Sequence, residues 1–275
     1  MRRTMTVAPQ QLTDAITELG LDGRAVMVHA SLRSFGTRVE ADALLDAFLA
    51  RGCTVLVPAF TEPQFGVAPP PGMRPARNAV DYDAPSGPDT DAIYDVACGV
   101  VNDGMGALPA RLVRRAGARR GDHPLNSFAA LGPRADDLAR VQTPADVYAP
   151  IRALADEDGA VLLIGVGLDR MTALHHAEER AGRRLLVRWA RRPDGAVGTV
   201  ETGSCSDGFP RLEPRLGPLA RTTTVGASRW RAFPVRAALD AAEAAMTDDP
   251  EITRCAAEGC ARCADAIAGG PVAMN

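Results

Sequence analysis

"RAVMVHASLRSFGTRVEADALLDAFLARGCTVLVPAF", residues 24–60, decides the architecture. Two short apolar runs, RAVMVHA and CTVLVPAF, have the length and composition of buried strands. The stretch between them, EADALLDAFLARG, repeats its leucines and alanines at helical spacing. Strand, helix, strand at this separation is the pattern of a parallel α/β unit. Such sheets collect ligands in the loops at their strand ends, so SLRSFGTRV, which follows His29 and Ala30, is the first place to look for a site.

Working outward, AVLLIGVG (160–167) is the strongest strand in the chain, and it runs through a glycine-bearing turn into the helix RMTALHHAEERAG. Between these units, GMGALPARLVRRAG predicts a helix, HPLNSFAALGP an extended segment and ADDLARV a short helix. TPADVYAPIRALADEDG has a helical period from a Thr-Pro start to a glycine stop. RRLLVRWARRPDGAVGTVE predicts a β-hairpin around Pro193, Asp194 and Gly195. Two alanine-rich helices, near VRAALDAAEAAM and CAAEGCARCADAIA, close the chain. The expected fold is one α/β domain over residues 1–275, a central sheet flanked by helices, with a cysteine-containing helical tail at 235–275 and the active site at the sheet's edge. A Pro/Gly-rich loop at 61–89 has no lasting period, and a loop of that length is more often functional than idle.

The composition excludes several classes. At 46% hydrophobic, 275 residues can bury a core without cross-links. Arginine is dense in RLVRRAGARR and RRLLVRWARR, but a net charge of −3 and only 4% aromatic residues argue against a nucleic-acid partner. No run approaches the roughly 20 apolar residues that span a bilayer, and MRRTMTVAPQQLTDAI lacks the apolar core of a signal peptide. A cytoplasmic protein without a membrane partner, monomeric or homodimeric, is the expectation. In that compartment the six cysteines are thiols or metal ligands rather than disulfides.

Half of the four histidines fall in TALHHAEERAG, 172–182. On a helix His175 shares a side with Thr172, Glu178 and Glu179, and His176 is turned about 100° away. An imidazole beside a carboxylate is what a general base needs, because the carboxylate fixes the tautomer and stabilises the imidazolium. The same letters also describe a solvated polar face. They do not describe a zinc helix, whose histidines would stand four apart.

Three stretches taken together, VHASLRSFG with VLVPAFT, then GMGALPARLVRRAGARRGDHPLNSFAALGPRADDL, then VLLIGVGLDRMTALHHAEERAG, resemble the aminoglycoside 3-N-acetyltransferase family in order and separation. The resemblance runs from about Val26 to Gly182 and resumes in the tail. It implies the antibiotic acetyltransferase fold, distinct from the common N-acetyltransferase fold, and acetyl-CoA as co-substrate. It implies transfer to the 3-amino group of an aminoglycoside, or, in a relative recruited to biosynthesis, of an acyl group to another amine. His175 matches the family's base and Glu178 its acid; Thr172 is a candidate oxyanion donor. For coenzyme A it points to Ser31, Leu32, Arg33, Ser34, Phe35, Met105, Gly106, His123 and Ser127. His123, before a proline, would either face the thioester or cap a turn; His29, ending a strand, reads as a satisfied wall of the pocket. Where relatives carry small polar residues ahead of the histidine helix, this chain has Leu168 and Met171 and keeps Asp169, which puts the acceptor in question. Glu62, Asp81, Asp83 and Asp169 are the candidate acceptor-binding acids, with Asp89, Asp91 and Asp95 further along the loop.

The last pattern is CAAEGCARC, which spaces Cys255, Cys260 and Cys263 as C-x4-C-x2-C, with Cys205 in GSCSDGF as a fourth thiol. Four thiolates close a tetrahedral zinc site and leave no open position. Such a zinc would be structural and would pin the tail to the hairpin region; the alternative is a set of small core thiols. Cys53 and Cys98 read as core.

Overall fold

The computed structural model describes residues 7–84 and 90–273. Its elements run α1 (Pro9–Glu18), β1 (Ala25–Ala30), α2 (Ala41–Ala50), β2 (Thr54–Pro58), α3 (Ala107–Leu112), β3 (Arg119–Arg120), β4 (Phe128–Leu131), α4 (Ala135–Ala139), α5 (Ala149–Asp156), β5 (Ala160–Ile164) and α6 (Ala173–Arg180). They continue β6 (Leu186–Arg191), β7 (Val197–Thr202), α7 (Glu213–Leu216), β8 (Arg221–Val225), β9 (Ser228–Pro234), α8 (Val235–Asp248) and α9 (Ala261–Ile267).

Seven strands form one sheet in the order β3-β4-β2-β1-β5-β9-β8. Its middle is parallel: β1 lies between β2 and β5, with Val26 opposite both Val55 and Ala160. The flanks are not. β4 joins β2 antiparallel and β9 joins β5 antiparallel, with Leu162 opposite Ala232. The parallel reading therefore holds for the stretches that prompted it and fails outside them. Antiparallel partners need only short connections, as between β8 and β9 at Gly226 and Ala227, whereas each parallel neighbour needs a crossover.

The three central strands read as continuous apolar runs because helices cover both faces. Met27, Leu56, Val161, Leu163 and Phe233 point to a layer containing Ile151, Leu154, Leu174, Ala177 and Leu239 of α5, α6 and α8. Val26, Val28, Val55, Val57, Leu162 and Ile164 point the other way, onto Leu12, Ile16, Leu44, Phe48 and Leu108 of α1, α2 and α3. Alternation along each strand thus builds two cores from one sheet. No helix among the described residues is long and apolar enough to cross a membrane.

The predicted hairpin is β6 and β7, a separate two-stranded sheet with Arg191 opposite Val197. It turns as expected: Gly195 takes a left-handed φ of 81°, and the Asp194 carboxylate accepts from Ala196 N–H at 2.9 Å. Two helices are shorter than their periodicity suggests. The one expected from Thr143 starts only at Ala149, since Thr143 and Asp146 bond to each other across a tight turn. In the tail, Cys255 lies in turns ahead of α9 and Cys260 caps its start.

The Pro/Gly-rich loop is anchored near its start, and the described chain just beyond it is anchored too. Phe65 and Tyr94 pack on Leu125, Ala190 and Val200 in a third apolar cluster. Arg120 donates to the carbonyls of Ala59, Cys98 and Val100, and its guanidinium sits 5.4 Å from the centre of the Tyr94 ring.

Candidate active site

Helix α6 begins just beyond the carboxyl end of β5, and its apolar residues Ala173, Leu174 and Ala177 anchor it to the core. That anchoring buries the whole first part of the helix, including both histidines and Glu178. His175 Nδ1 lies 2.8 Å from Glu178 Oε2. Its ring is clamped between Tyr148, nearly parallel at 6.1 Å between centroids, and Phe209, tilted at 4.8 Å. From a third side Gly203 closes on it: a Cβ there would meet the Tyr148 hydroxyl and stand 2.9 Å from His175 Cδ2.

Glu178 is nine-tenths and more buried, and the site compensates each of its oxygens. Oε2 also accepts from the Ser204 hydroxyl at 2.6 Å, and Oε1 accepts from Arg183 Nη1 at 2.6 Å. Arg183 is itself buried and donates to Thr253 Oγ1 and to the Pro250 carbonyl, both at 2.7 Å. Burial, the largest single influence, pushes the Glu178 carboxyl up. The bond and charge of His175, with Ser204 and Arg183, outweigh it, so Glu178 sits below the ordinary glutamate range and is ionised. A buried carboxylate on Nδ1 leaves His175 Nε2 as the nitrogen available to a reactant.

His175 and Thr172 belong to the wall of a cavity of about 730 Å³. The carboxyl ends of β1, β2 and β5 supply its floor through His29, Ala30, Pro58 and Gly165. Ser31, Leu32, Arg33, Met105, Gly106 and Asp169, all candidate site residues, line it together with Asp103, Arg170 and Ser206, which the sequence reading passed over. The site therefore lies at the middle of the sheet, at the mouth of the parallel strands, and not at the sheet's edge. His29 is a wall residue, but not the satisfied one expected. Burial, with Arg170 nearby, pushes it down to about 3, and among the described residues its buried Nε2 has no partner.

Other expected contacts fall elsewhere. In the tight turn after β1, Phe35 swings into the core and packs edge-on against Trp230. Ser34 donates to the Ser31 carbonyl at 2.6 Å and pairs with Ser228, so it shapes the loop from behind. His123 takes the turn-capping alternative: Nδ1 accepts from Leu125 N–H and Asn126 N–H, and Nε2 is 2.9 Å from the Glu201 carbonyl. Burial pushes it down to about 4, against the pull of that carbonyl. Ser127 is buried between Arg120 and the Ala59 carbonyl. None of these four lines the cavity.

The loop acids are mostly spent on their own loop. Asp81 accepts from Asp83 N–H and Ala84 N–H, and both aspartates are exposed away from the cavity. Asp91 pairs with Arg191 and Asp95 caps Ala97, while Asp89 lies outside the described residues. Glu62 lines a separate pocket of about 200 Å³ with Arg188 and Trp189. Leu168 and Met171 are core residues and do not line the cavity, so what they touch is the packing around α6. Tyr148, Arg183, Ser204 and Phe209 are the residues missed. The one sequence signal for any of them was the small, polar TGSCSDG run after the hairpin.

The four tail and loop cysteines do come together: the Sγ atoms of Cys205, Cys255, Cys260 and Cys263 lie within 4.8 Å of one another. All six cysteines are free thiols. Cys53 is core and donates to the Leu21 carbonyl; Cys98 is half-buried beside Arg120.

A parallel-centred sheet flanked by antiparallel strands, with a buried His–Glu pair on a cavity at its mouth, is a mixed α/β architecture, and comparison gives it a family. The sequence profile of the aminoglycoside 3-N-acetyltransferase family matches residues 27–247, and the chain belongs to that family. Aminoglycoside N(3)-acetyltransferase IX of Micromonospora chalcea is 35% identical over 191 residues, 65% of this chain and 64% of that one. The match thus spans just under two thirds of that relative's length. The aminoglycoside acetyltransferase AAC(3)-IVa apoenzyme has the same fold, with a TM-score of 0.78 at 24% identity over 98% of this chain and 100% of its own. A mutant of the same enzyme, solved in complex with a gentamicin, aligns with a TM-score of 0.77 at 24% identity over the same shares.

Proposed function

We propose that the chain is an acetyl-CoA-dependent N-acetyltransferase that modifies the 3-amino group of an aminoglycoside by direct transfer, with His175 as general base. The observation that carries this reading is His175 on the cavity wall with Nδ1 held by the buried Glu178 carboxylate. Family membership and the name of the Micromonospora relative support the choice of acceptor.

In this reading coenzyme A enters along Ser31, Leu32, Arg33, Met105 and Gly106, and Arg33 and Arg170 balance its phosphates. The cationic acceptor meets Asp169 and Asp103 on the same wall. An alkylammonium has no lone pair, so a proton must leave before attack. That first proton passes to solvent. The neutral amine nitrogen bonds to the thioester carbonyl carbon, and His175 Nε2 takes the second N–H proton that attack makes acidic, giving an imidazolium stabilised by ionised Glu178. The Thr172 hydroxyl, on the same cavity wall, donates to the oxyanion. The C–S bond breaks, and His175 returns a proton to the departing thiolate, leaving an amide and free coenzyme A.

The test is thiol release from acetyl-CoA against a panel of aminoglycosides and simple amines, with the product's acetylated position read by NMR. Turnover giving 3-N-acetyl product is expected. Acetylation at another amine position would overturn the regiochemistry, and binding of acetyl-CoA without acetylation of any amine would overturn the reading itself.

A further inference from the structure

We infer that Cys205, Cys255, Cys260 and Cys263 bind one zinc ion, and that this ion fixes the two chain segments that hold Glu178 against His175.

The metal half rests on geometry and ligand chemistry. A tetrahedral tetrathiolate with Zn–S bonds of about 2.3 Å sets its sulfurs about 3.8 Å apart, and the four Sγ atoms lie within 4.8 Å of one another. They converge from two distant parts of the chain, Cys205 from the loop after β7 and the other three from the tail, and none is in a disulfide. The segments meet at close quarters because residue 208 is glycine, whose missing Cβ would overlap the Thr253 carbonyl. Cys255 N–H approaches Cys263 Sγ at 3.4 Å, the kind of backbone donor that supports a metal-bound thiolate. Four thiols crowded without a cation gain little; a divalent ion turns the same crowding into a cross-link.

The bracing half rests on what sits beside the ligands. Ser204, next to Cys205, donates to Glu178 Oε2 at 2.6 Å. Thr253 and Pro250, just ahead of Cys255, hold Arg183, which donates to Glu178 Oε1 at 2.6 Å. Both oxygens of the carboxylate are thus gripped by segments whose next anchor is the thiol quartet. Gly203, which seats the same loop on the His175 ring, is two residues from Cys205. A site closed by four thiolates has no position for substrate, so the ion acts by positioning. This half rests on the reading of His175 as the base; the metal half does not.

The experiment uses the full chain purified without chelator or metal-binding tag. Elemental analysis should find one zinc per chain, and cobalt exchanged into the site should show the intense charge-transfer and visible bands of a tetrahedral tetrathiolate. Absence of both overturns the metal site. With zinc stripped by a mercurial and a chelator, the ¹⁵N ring signal of His175, assigned by its loss in His175→Gln, should shift and return on readdition. In the same samples kcat should fall about tenfold or more with the acetyl-CoA KM unchanged. Because stripping can unfold the chain, zinc-loaded Ser204→Ala is the second arm: it should keep its zinc, shift the ring signal and lower kcat. Zinc-loaded Ser204→Ala with an unmoved ring signal and unchanged kcat overturns the brace. Should no amine be acetylated at all, metal content and ring signal still decide the two halves, separately from the failure of the transfer reading.

Discussion

Helix α6 carries two histidine–glutamate pairs of the same make: His175 with Glu178 and His176 with Glu179, each three residues apart, each bonded through Nδ1 at 2.8 Å. Spacing makes the pairs alike; surroundings make them different. His175 stands on the cavity wall, and Glu178 is enclosed with Ser204 and Arg183 on its two oxygens. His176 does not line the cavity, and the Glu179 side chain is 36% exposed, with Arg152 at 4.0 Å as its nearest cation. A local pattern therefore supplies a hydrogen-bonded imidazole, and only tertiary packing sets one of the two on a cavity wall.

The sharpest way to break the comparison is to remove each imidazole. His175→Ala should lower kcat about 100- to 10,000-fold, the usual worth of a positioned acid–base group. His176→Ala should leave kcat within a few-fold of the parent, because no reacting atom comes near it. Steady-state thiol release on both variants checks this, and equal losses would return the two pairs to equal standing.

The carboxylates should separate by stability. Glu178→Gln leaves the buried Arg183 without its counter-charge, and breaking a buried pair from one side costs about 3–5 kcal/mol. Glu179→Gln removes a partly solvated charge and should cost no more than about 1 kcal/mol. Urea unfolding at pH 7 compares them. The sign with pH follows from the Glu178 carboxyl lying below its ordinary value of 4.5. Its contribution is full above that value and is lost as pH falls through the lower folded one.

What was legible in the sequence was what short range decides. The apolar runs at 24–30, 53–60 and 160–167 gave the three central strands, and Pro193-Asp194-Gly195 gave a hairpin turn, because period and turn chemistry are local properties. His175 and Glu178 were legible as a helical pair, and the three tail cysteines as a set by their spacing, with Cys205 joined to them only as a possible fourth thiol. The flanking strands were not, since RTTTVGASRW has mostly exposed threonines and arginines and becomes sheet only by pairing β9 with β5. Nor were the groups around the pair. Tyr148, Ser204 and Phe209 reach His175 and Glu178 across long sequence separations, and no periodicity encodes such contacts. Phe35 and His123 show the converse: each lies in a motif that suggested ligand contact, and burial turned one into core and the other into a turn cap.

The smallest effect contrasts the α6 pairs with the two histidines that have no carboxylate on the ring. Burial holds His29 at about 3 and His123 at about 4, against 6.5 in an unfolded chain. Between those values the unfolded chain takes up protons that the folded chain refuses. Stability is therefore full above pH 6.5 and falls as the solution is acidified, by at most about 1.4 kcal/mol per pH unit for each histidine. At pH 5 each should have cost about 2 kcal/mol, a figure insensitive to where the folded values lie so long as both stay below 5. Glu201, whose carboxyl is pushed up by burial, works in the opposite sense, so the informative quantity is a difference between variants. Denaturant midpoints at pH 7 and pH 5 for the parent, His29→Gln and His123→Asn should show each variant losing about 2 kcal/mol less on acidification than the parent. A parent and a variant with the same pH dependence would mean that the missing histidine is protonated in the folded chain, and hence that its ring is hydrated or paired there rather than held neutral by burial.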